Sequence, residues 1–137
     1  MRLVTLIIIA AIIVGGVLYA KKAGWLDKAA QQAQEAGDSF TAHRSKGGKH
    51  FLAMEYDEAI EEYQAAIDKE PNHPDVPEVM MRIARSHEQL SKKGNKEEEL
   101  KNAMDCYKAL LEKYPDHSSV AQAKKNMEVI EVTGSAK

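Results

Sequence analysis

The segment "YDEAIEEYQAAIDKEPNHPD", residues 56–75, has the apolar spacing of an amphipathic helix that ends at a proline. Its apolar residues recur with the helical period and share one face, while most of its acidic residues lie outside that face. Proline lacks an N–H donor and restricts the residue before it, so Pro71 marks the end of the helix. The segment therefore predicts a helix with one face to bury, followed by a turn.

The same pattern recurs later in the chain, and each residue lies 44 positions before its counterpart. The first set is Ala59, Ile60, Tyr63, Ala66, Ile67 and Pro71, and the second is Ala103, Met104, Tyr107, Leu110, Leu111 and Pro115. The turns also match, "PNHPDV" from residue 71 with "PDHSSV" from residue 115. A unit that cannot bury its own apolar face is stabilised by stacking on another, so we predict an internal repeat.

Each repeated helix has a helical segment beside it in the sequence. These segments are "SFTAHRSKGGKHFLAM" (39–54), "DVPEVMMRIARSHEQL" (75–90) and "SSVAQAKKNMEVIEV" (118–132). The predicted fold is therefore all-α, with two helix pairs and a closing helix. Between the helices of the second pair, "SKKGNKEEE" (91–99) is expected to be a solvated loop, with Asn95 as the cap of the next helix.

Residues 39–132 resemble the tetratricopeptide repeat family, in which small residues, an aromatic residue and a proline recur at set positions of a helix pair. The matching positions are Gly47, Tyr56, Ala59, Tyr63, Ala66 and Pro71 in the first unit, and Ala84, Ala103, Tyr107 and Pro115 in the second. The period of 44 residues exceeds the usual period of about 34. The turn resembles that of repeats in bacterial cell-envelope proteins.

The resemblance implies a protein-binding module, in which the first helix of each pair lines a groove for a peptide or a partner protein. The implied groove positions are Arg44, Gly48, Phe51, Met81, Arg85, Glu88 and Lys125. Arg44, Arg85 and Lys125 could form a basic stripe suited to a carboxylate or an acidic segment. The alternative is that these are ordinary solvated charges. The asparagines with which some family members bind a terminal carboxylate are missing.

Residues 3–20, "LVTLIIIAAIIVGGVLYA", contain no charged side chain and are followed by Lys21 and Lys22. As a helix this segment would be about 27 Å long, close to the ~30 Å of a bilayer core. Three interpretations stay open: a retained single-pass anchor, a cleaved signal peptide, and a helix that packs against copies of itself. Small residues four apart, Ala11 with Gly15 and Gly16 with Ala20, suit the third.

The expected organisation is a hydrophobic helix at 1–22, a helical stalk at 23–38, the repeat domain at 39–132 and a flexible tail at 133–137. In and just after the stalk, one helical stripe contains Leu26, Ala30, Ala33, Gly37 and Phe40. The hydrophobic helix also resembles the N-terminal helix of type IV pilins, but the acidic residue of that family is absent here. The likeness is mainly one of hydrophobicity.

Composition argues against several classes of function. Outside residues 1–22 the chain has 16 basic and 21 acidic residues, a net charge of −5, so nucleic acid is not expected as a partner. No phosphate-binding loop, HExxH pair or nucleophile elbow is present, so we predict neither an enzyme nor a cofactor. His43 and His50 lack convincing metal-ligand spacing, and we expect Cys106, the single cysteine, to be a packed or partly exposed thiol rather than a nucleophile.

Two functions are compatible with these features. The first is an adaptor anchored in the membrane of a bacterial cell envelope, with its repeat domain outside the cytoplasm and bound to a protein or peptide. The second is a structural subunit that forms a homo-oligomer or cell-surface filament through residues 3–20. Both functions depend on residues 3–20, which would contact the membrane in the adaptor and other copies of the chain in the filament subunit.

Overall fold

The computed structural model describes residues 35–134, together with residues 24, 28, 31 and 32. Residues 39–134 form five α-helices joined by short turns: α1 (Phe40–Leu52), α2 (Tyr56–Lys69), α3 (Val76–Leu90), α4 (Lys96–Lys113) and α5 (Ser119–Gly134). The described part of the chain contains no strand, which confirms the all-α prediction. Helix α5 ends at Gly134, two residues beyond the predicted end of the domain.

The contacts divide the chain into two units, Met1–Asp38 and Ser39–Lys137. Of the predicted stalk, residues 28, 31–32 and 35–37 are helical. The predicted hydrophobic helix, with Ala11, Gly15, Gly16 and Ala20, lies outside the described residues, as do residues 135–137 of the predicted tail. Among the described residues, no helix has both the length and the apolar character needed to cross a bilayer.

The helices pack in sequence order. Helix α1 pairs with α2 and α3 pairs with α4, while α2 packs on α3 and α5 packs on both α4 and α3. Ser39 caps α1, because its side chain accepts a hydrogen bond from the Ala42 N–H at 3.3 Å. Phe40 is fully buried at the start of α1 and stacks on His73, so it belongs to the repeat domain rather than to the stalk stripe.

The repeated residues form the core. Ala59, Tyr63 and Ala66 of α2, and Ala103, Tyr107 and Leu110 of α4, are all fully buried. Tyr63 belongs to a cluster in which α2 packs on α3, and Tyr107 belongs to a second cluster that joins α3, α4 and α5. Both tyrosine rings therefore fill the space between neighbouring helices, as the repeated apolar face predicts.

The two proline turns share a hydrogen-bond pattern that the sequence analysis did not anticipate. His73 Nδ1 accepts from the Asp75 N–H at 3.1 Å, and 44 residues later His117 Nδ1 accepts from the Ser119 N–H, also at 3.1 Å. These bonds bind donors just before α3 and at the start of α5, where helix geometry leaves N–H groups without partners. The turn histidines thus act as local side-chain caps.

The longer connection in the second unit is partly helical. Residues 96–99, expected in a loop, form the first turn of α4, where Glu97, Glu98 and Glu99 favour a helix N-terminus. Asn95 is the residue before the helix, as predicted, but its side chain makes no capping bond to the backbone and donates instead to the Glu98 carboxylate.

Candidate partner-binding groove

The first helices of the two pairs are joined by a charged network at the surface. Arg44 Nη1 on α1 donates to Asp75 Oδ2 at 2.8 Å, and Arg44 Nη2 approaches Glu78 Oε2 at 3.4 Å. Arg82, one turn along α3, donates to Glu78 Oε1 at 2.8 Å. The Arg82 hydrogen bond, together with the charges of both arginines, holds the pKa of Glu78 below its usual value despite partial burial.

A hydrogen-bond network around a tyrosine hydroxyl occupies the corresponding place in the second pair. The Tyr107 hydroxyl donates to Glu88 Oε1 on α3 and accepts from Asn126 Nδ2 on α5 at 2.8 Å. Burial, and then the bond to Glu88, raises the pKa of Tyr107. The tyrosine hydroxyl therefore connects three helices at the side where α3 and α5 meet.

The two networks use equivalent positions. Glu88, Tyr107 and Asn126 each lie 44 residues after Arg44, Tyr63 and Arg82. In the first set both helix positions carry arginine, which cannot accept a hydrogen bond. The Tyr63 hydroxyl is buried and has no hydrogen-bond partner among the described residues. The tyrosine hydroxyl is thus hydrogen-bonded in the second unit, whereas the equivalent hydroxyl in the first unit has no acceptor among the described residues.

An open cavity of about 200 Å³ lies beside this position, lined by Thr41, Arg44, Ser45 and Arg82. Gly48 is the next groove residue along α1, and a Cβ placed on it would lie 3.9 Å from the Tyr63 hydroxyl. The nearby Tyr63 hydroxyl adds to the effect of Glu78 in raising the pKa of Arg82. The hydroxyl therefore lies near Gly48 and Arg82, and it is itself buried.

The remaining predicted groove residues differ in how far they are exposed to solvent. Arg85 and Lys125 are exposed, and Glu88 is half-buried with its carboxylate bound to Tyr107. Phe51 packs against the first core cluster, with its ring edge-on to Tyr56 at 5.3 Å between centroids. Met81 is only 7% exposed and belongs to the second cluster, so it offers a partner little surface.

The predicted basic stripe is modified by carboxylates. Arg44 is bound to Asp75 and Glu78, so at that position the surface carries alternating charges rather than a row of cations. The sequence did not point to Arg82, Tyr63 and Asn126 as members of these two equivalent sets. Applying the spacing of 44 to polar as well as apolar residues would have identified these positions, because it aligns Arg44, Tyr63 and Arg82 with Glu88, Tyr107 and Asn126.

Other clusters of polar side chains in the domain are accounted for by pairs between neighbouring helices or adjacent turns. The Nδ1 atoms of His43 and His87 lie 2.6 Å from carboxylate oxygens of Glu62 and Glu99, and that of His50 lies 2.7 Å from Glu55. Among residues that the structure describes, no group of three or more His, Cys, Asp or Glu side chains has the proximity to hold a metal ion.

Two further cavities lie away from this groove. One, of about 410 Å³, is found between the start of α4 and the end of α5, where Leu100, Met104 and Ile130 form apolar walls. The other, of about 310 Å³, lies between α2 and α4 and includes Cys106. Cys106 is half-buried; burial raises the pKa of its thiol, and the neighbouring Asp105 adds to that effect.

The helix pair formed by α3 and α4, with its proline turn, can be compared with known families. Residues 78–117 match the tetratricopeptide repeat family. The tetratricopeptide match runs from Glu78 to the turn histidine His117 and so covers most of the second unit. Tetratricopeptide repeats generally mediate protein–protein interaction and are typically non-catalytic. No curated protein and no solved structure matches the chain.

The different surroundings of the two equivalent tyrosines, Tyr63 and Tyr107, predict different costs for the same substitution. Tyr107→Phe removes two hydrogen bonds, and we expect it to lower the free energy of unfolding by about 1 kcal/mol. Tyr63→Phe removes a hydroxyl without a partner and should leave stability unchanged or slightly higher. Urea denaturation of the full chain in detergent measures both. Equal losses in the two variants would contradict the difference between the two networks.

Proposed function

We propose that the protein is a membrane-tethered adaptor, in which the groove lined by the first helices holds a peptide or a partner protein. The tetratricopeptide match at residues 78–117 is the observation that carries the proposal. The predicted groove positions support it, because Arg85 and Lys125 are exposed and the polar side chains of Arg44 and Glu88 are half-buried. Binding sites of this mixed kind combine specific hydrogen bonds with a rigid helical scaffold.

The tether in this proposal is the uncharged segment at residues 3–20, whose helical length would match a bilayer core. The envelope-type turn supports a bacterial cell envelope, with the repeat domain outside the cytoplasm. In a bacterial host, the chain should remain with membranes after alkaline washing, and deletion of residues 1–22 should release it. Protease added to spheroplasts should degrade the repeat domain. A repeat domain that resists the protease would instead lie in the cytoplasm, which would contradict the proposed orientation.

Groove binding is tested by site-specific photo-crosslinking in the full chain. A benzophenone amino acid at Arg85, which is exposed on α3, should give one discrete crosslinked partner, whereas the same probe at Lys108, exposed on α4, should not. Equal crosslinking at both positions would contradict a groove-specific partner. Ordered fibres of the purified chain in electron micrographs would instead support the filament subunit, which buries residues 3–20 in protein.

A further inference from the structure

The open cavity of about 410 Å³ lies at the place where α5 ends. Its apolar walls are Leu100 and Met104 near the start of α4 and Ile130 on α5, and Gly134, the last residue of α5, also lines it. Leu100 and Met104 are only half-buried. Apolar surface in contact with water is unfavourable, so a segment that covers these side chains would stabilise the domain.

The first unit closes the equivalent place with residues that follow α3. The spacing of 44 aligns Leu100 with Tyr56, and it aligns the end of α5 with the end of α3 at Leu90. After Leu90 the chain turns back, and Lys93 Nζ lies 4.6 Å from the centroid of the Tyr56 ring. The same ammonium donates to the Met54 carbonyl at 2.7 Å. A lysine three residues beyond the helix therefore covers the start of α2.

A similar three-residue segment follows α5. Residues 91–93 are "SKK" and residues 135–137 are "SAK", so the spacing of 44 aligns the two serines and the two final lysines. Ser91 holds the start of the first segment, because its hydroxyl donates to the Glu88 carbonyl at 2.7 Å. The last carbonyls of a helix have no partners within that helix, so those of α5 offer Ser135 the same kind of acceptor.

We propose that residues 135–137 repeat the path of residues 91–93 and close the cavity at the end of the second unit. The hydrocarbon stem of Lys137 covers Leu100, and its ammonium reaches the carboxylate of Glu97 at the rim. A carboxylate replaces the carbonyl acceptor of the first unit because α4 begins one turn earlier than α2, which places the equivalent carbonyl inside a helix. The proposal differs from the flexible tail that the sequence alone predicts for these residues.

Apolar contact, rather than charge, accounts for most of this closure. Lys96 and Lys101 line the cavity together with Glu97 and Glu131, so the charges at its rim already balance. An exposed ion pair contributes little, so the ammonium of Lys137 should have a small effect. The larger effect should come from the apolar surface that the lysine stem and the backbone of the segment cover. The cavity lies away from the groove, so this inference is independent of partner binding there.

The test measures how fast a thiol in the cavity reacts. The full chain in detergent micelles, with Cys106→Ser and Met104→Cys, is labelled with N-ethylmaleimide and compared with the same chain ending at Gly134. Removal of residues 135–137 should raise the labelling rate about fivefold, because it opens the cavity to the reagent. Lys137→Ala should raise the rate about twofold, since it removes the stem and keeps the backbone of the segment.

Two further thiols separate closure of the cavity from general effects. Ala121→Cys lies on an exposed position of α5 and should be labelled at the same rate with and without residues 135–137. Leu100→Cys is a second probe of the same cavity, for use if circular dichroism shows that Met104→Cys does not fold. The proposal is overturned if removal of the segment leaves the labelling rate of the cavity thiols unchanged, or if Ala121→Cys responds as strongly as they do.

Discussion

Replacing Ala103 by glutamate is expected to lower the free energy of unfolding by about 4 kcal/mol or more, enough to unfold much of the repeat domain. Ala103 is completely buried, with 0% of its surface exposed to solvent, and it packs in the cluster around Tyr107. A glutamate there must either displace packed helices or bury a carboxylate without a partner. Circular dichroism at 222 nm during urea denaturation of the full chain measures the loss.

The same substitution at Ala121 is the matched control. Ala121 is exposed on α5, so Ala121→Glu adds the same charge and the same atoms in water. Its effect on the free energy of unfolding should stay within about 0.5 kcal/mol. If Ala103→Glu unfolds at the urea concentration of the parent, then α4 does not pack through Ala103 and the assignment of repeated core positions is wrong.

Gly47→Ala is expected to destabilise the domain by about 2 kcal/mol, although alanine favours a helix over glycine by about 1 kcal/mol. A Cβ at position 47 would lie 2.7 Å from both Cδ1 and Cε1 of Tyr63 and 3.0 Å from Cγ. These distances are far below van der Waals contact, and the ring is fully buried, so it cannot move aside without shifting α1 from α2. Thermal denaturation should show a lower melting temperature.

The neighbouring glycine provides the control. Gly48 lies in the same helix, but a Cβ there would meet nothing closer than the Tyr63 hydroxyl at 3.9 Å, an ordinary contact. Gly48→Ala should therefore raise the free energy of unfolding by up to about 1 kcal/mol through helix propensity. Opposite signs for adjacent glycines are the expected signature, and stabilisation by both substitutions would show that Tyr63 does not pack closely on α1.

The helix that contains Gly47 and Gly48 illustrates the limits of prediction from local sequence. Two consecutive glycines mark "SFTAHRSKGGKHFLAM" as a poor helix, yet α1 continues through both of them to Leu52. Helix propensity depends only on nearby residues, whereas glycine is needed at position 47 because the ring of Tyr63, sixteen positions later, leaves no space for a Cβ. The resemblance to the repeat family gave Gly47 its place as a small residue, and only the structure shows the atoms that require it.

Groove residues were less predictable than core residues for a physical reason. Arg44 and Arg85 were predicted on the first helices and Lys125 on the closing helix, but the partners of such side chains depend on how the helices are turned and spaced. Arg44 meets carboxylates 31 and 34 residues away. Met81 lies only one position from a surface residue, and a rotation of about 100° per residue places it in the core instead.

The amino-acid sequence by itself determined the all-α class, the spacing of 44 residues and the face of each repeated helix that packs into the core, because apolar periodicity and proline turns are properties of short segments. It also determined that residues 3–20 are uncharged. Tertiary structure alone decided which polar groups meet. Tyr63 and Tyr107 occupy equivalent places in the sequence, but only the Tyr107 hydroxyl has partners within the part of the chain that the structure describes, because hydrogen bonds depend on side chains that three different helices bring together.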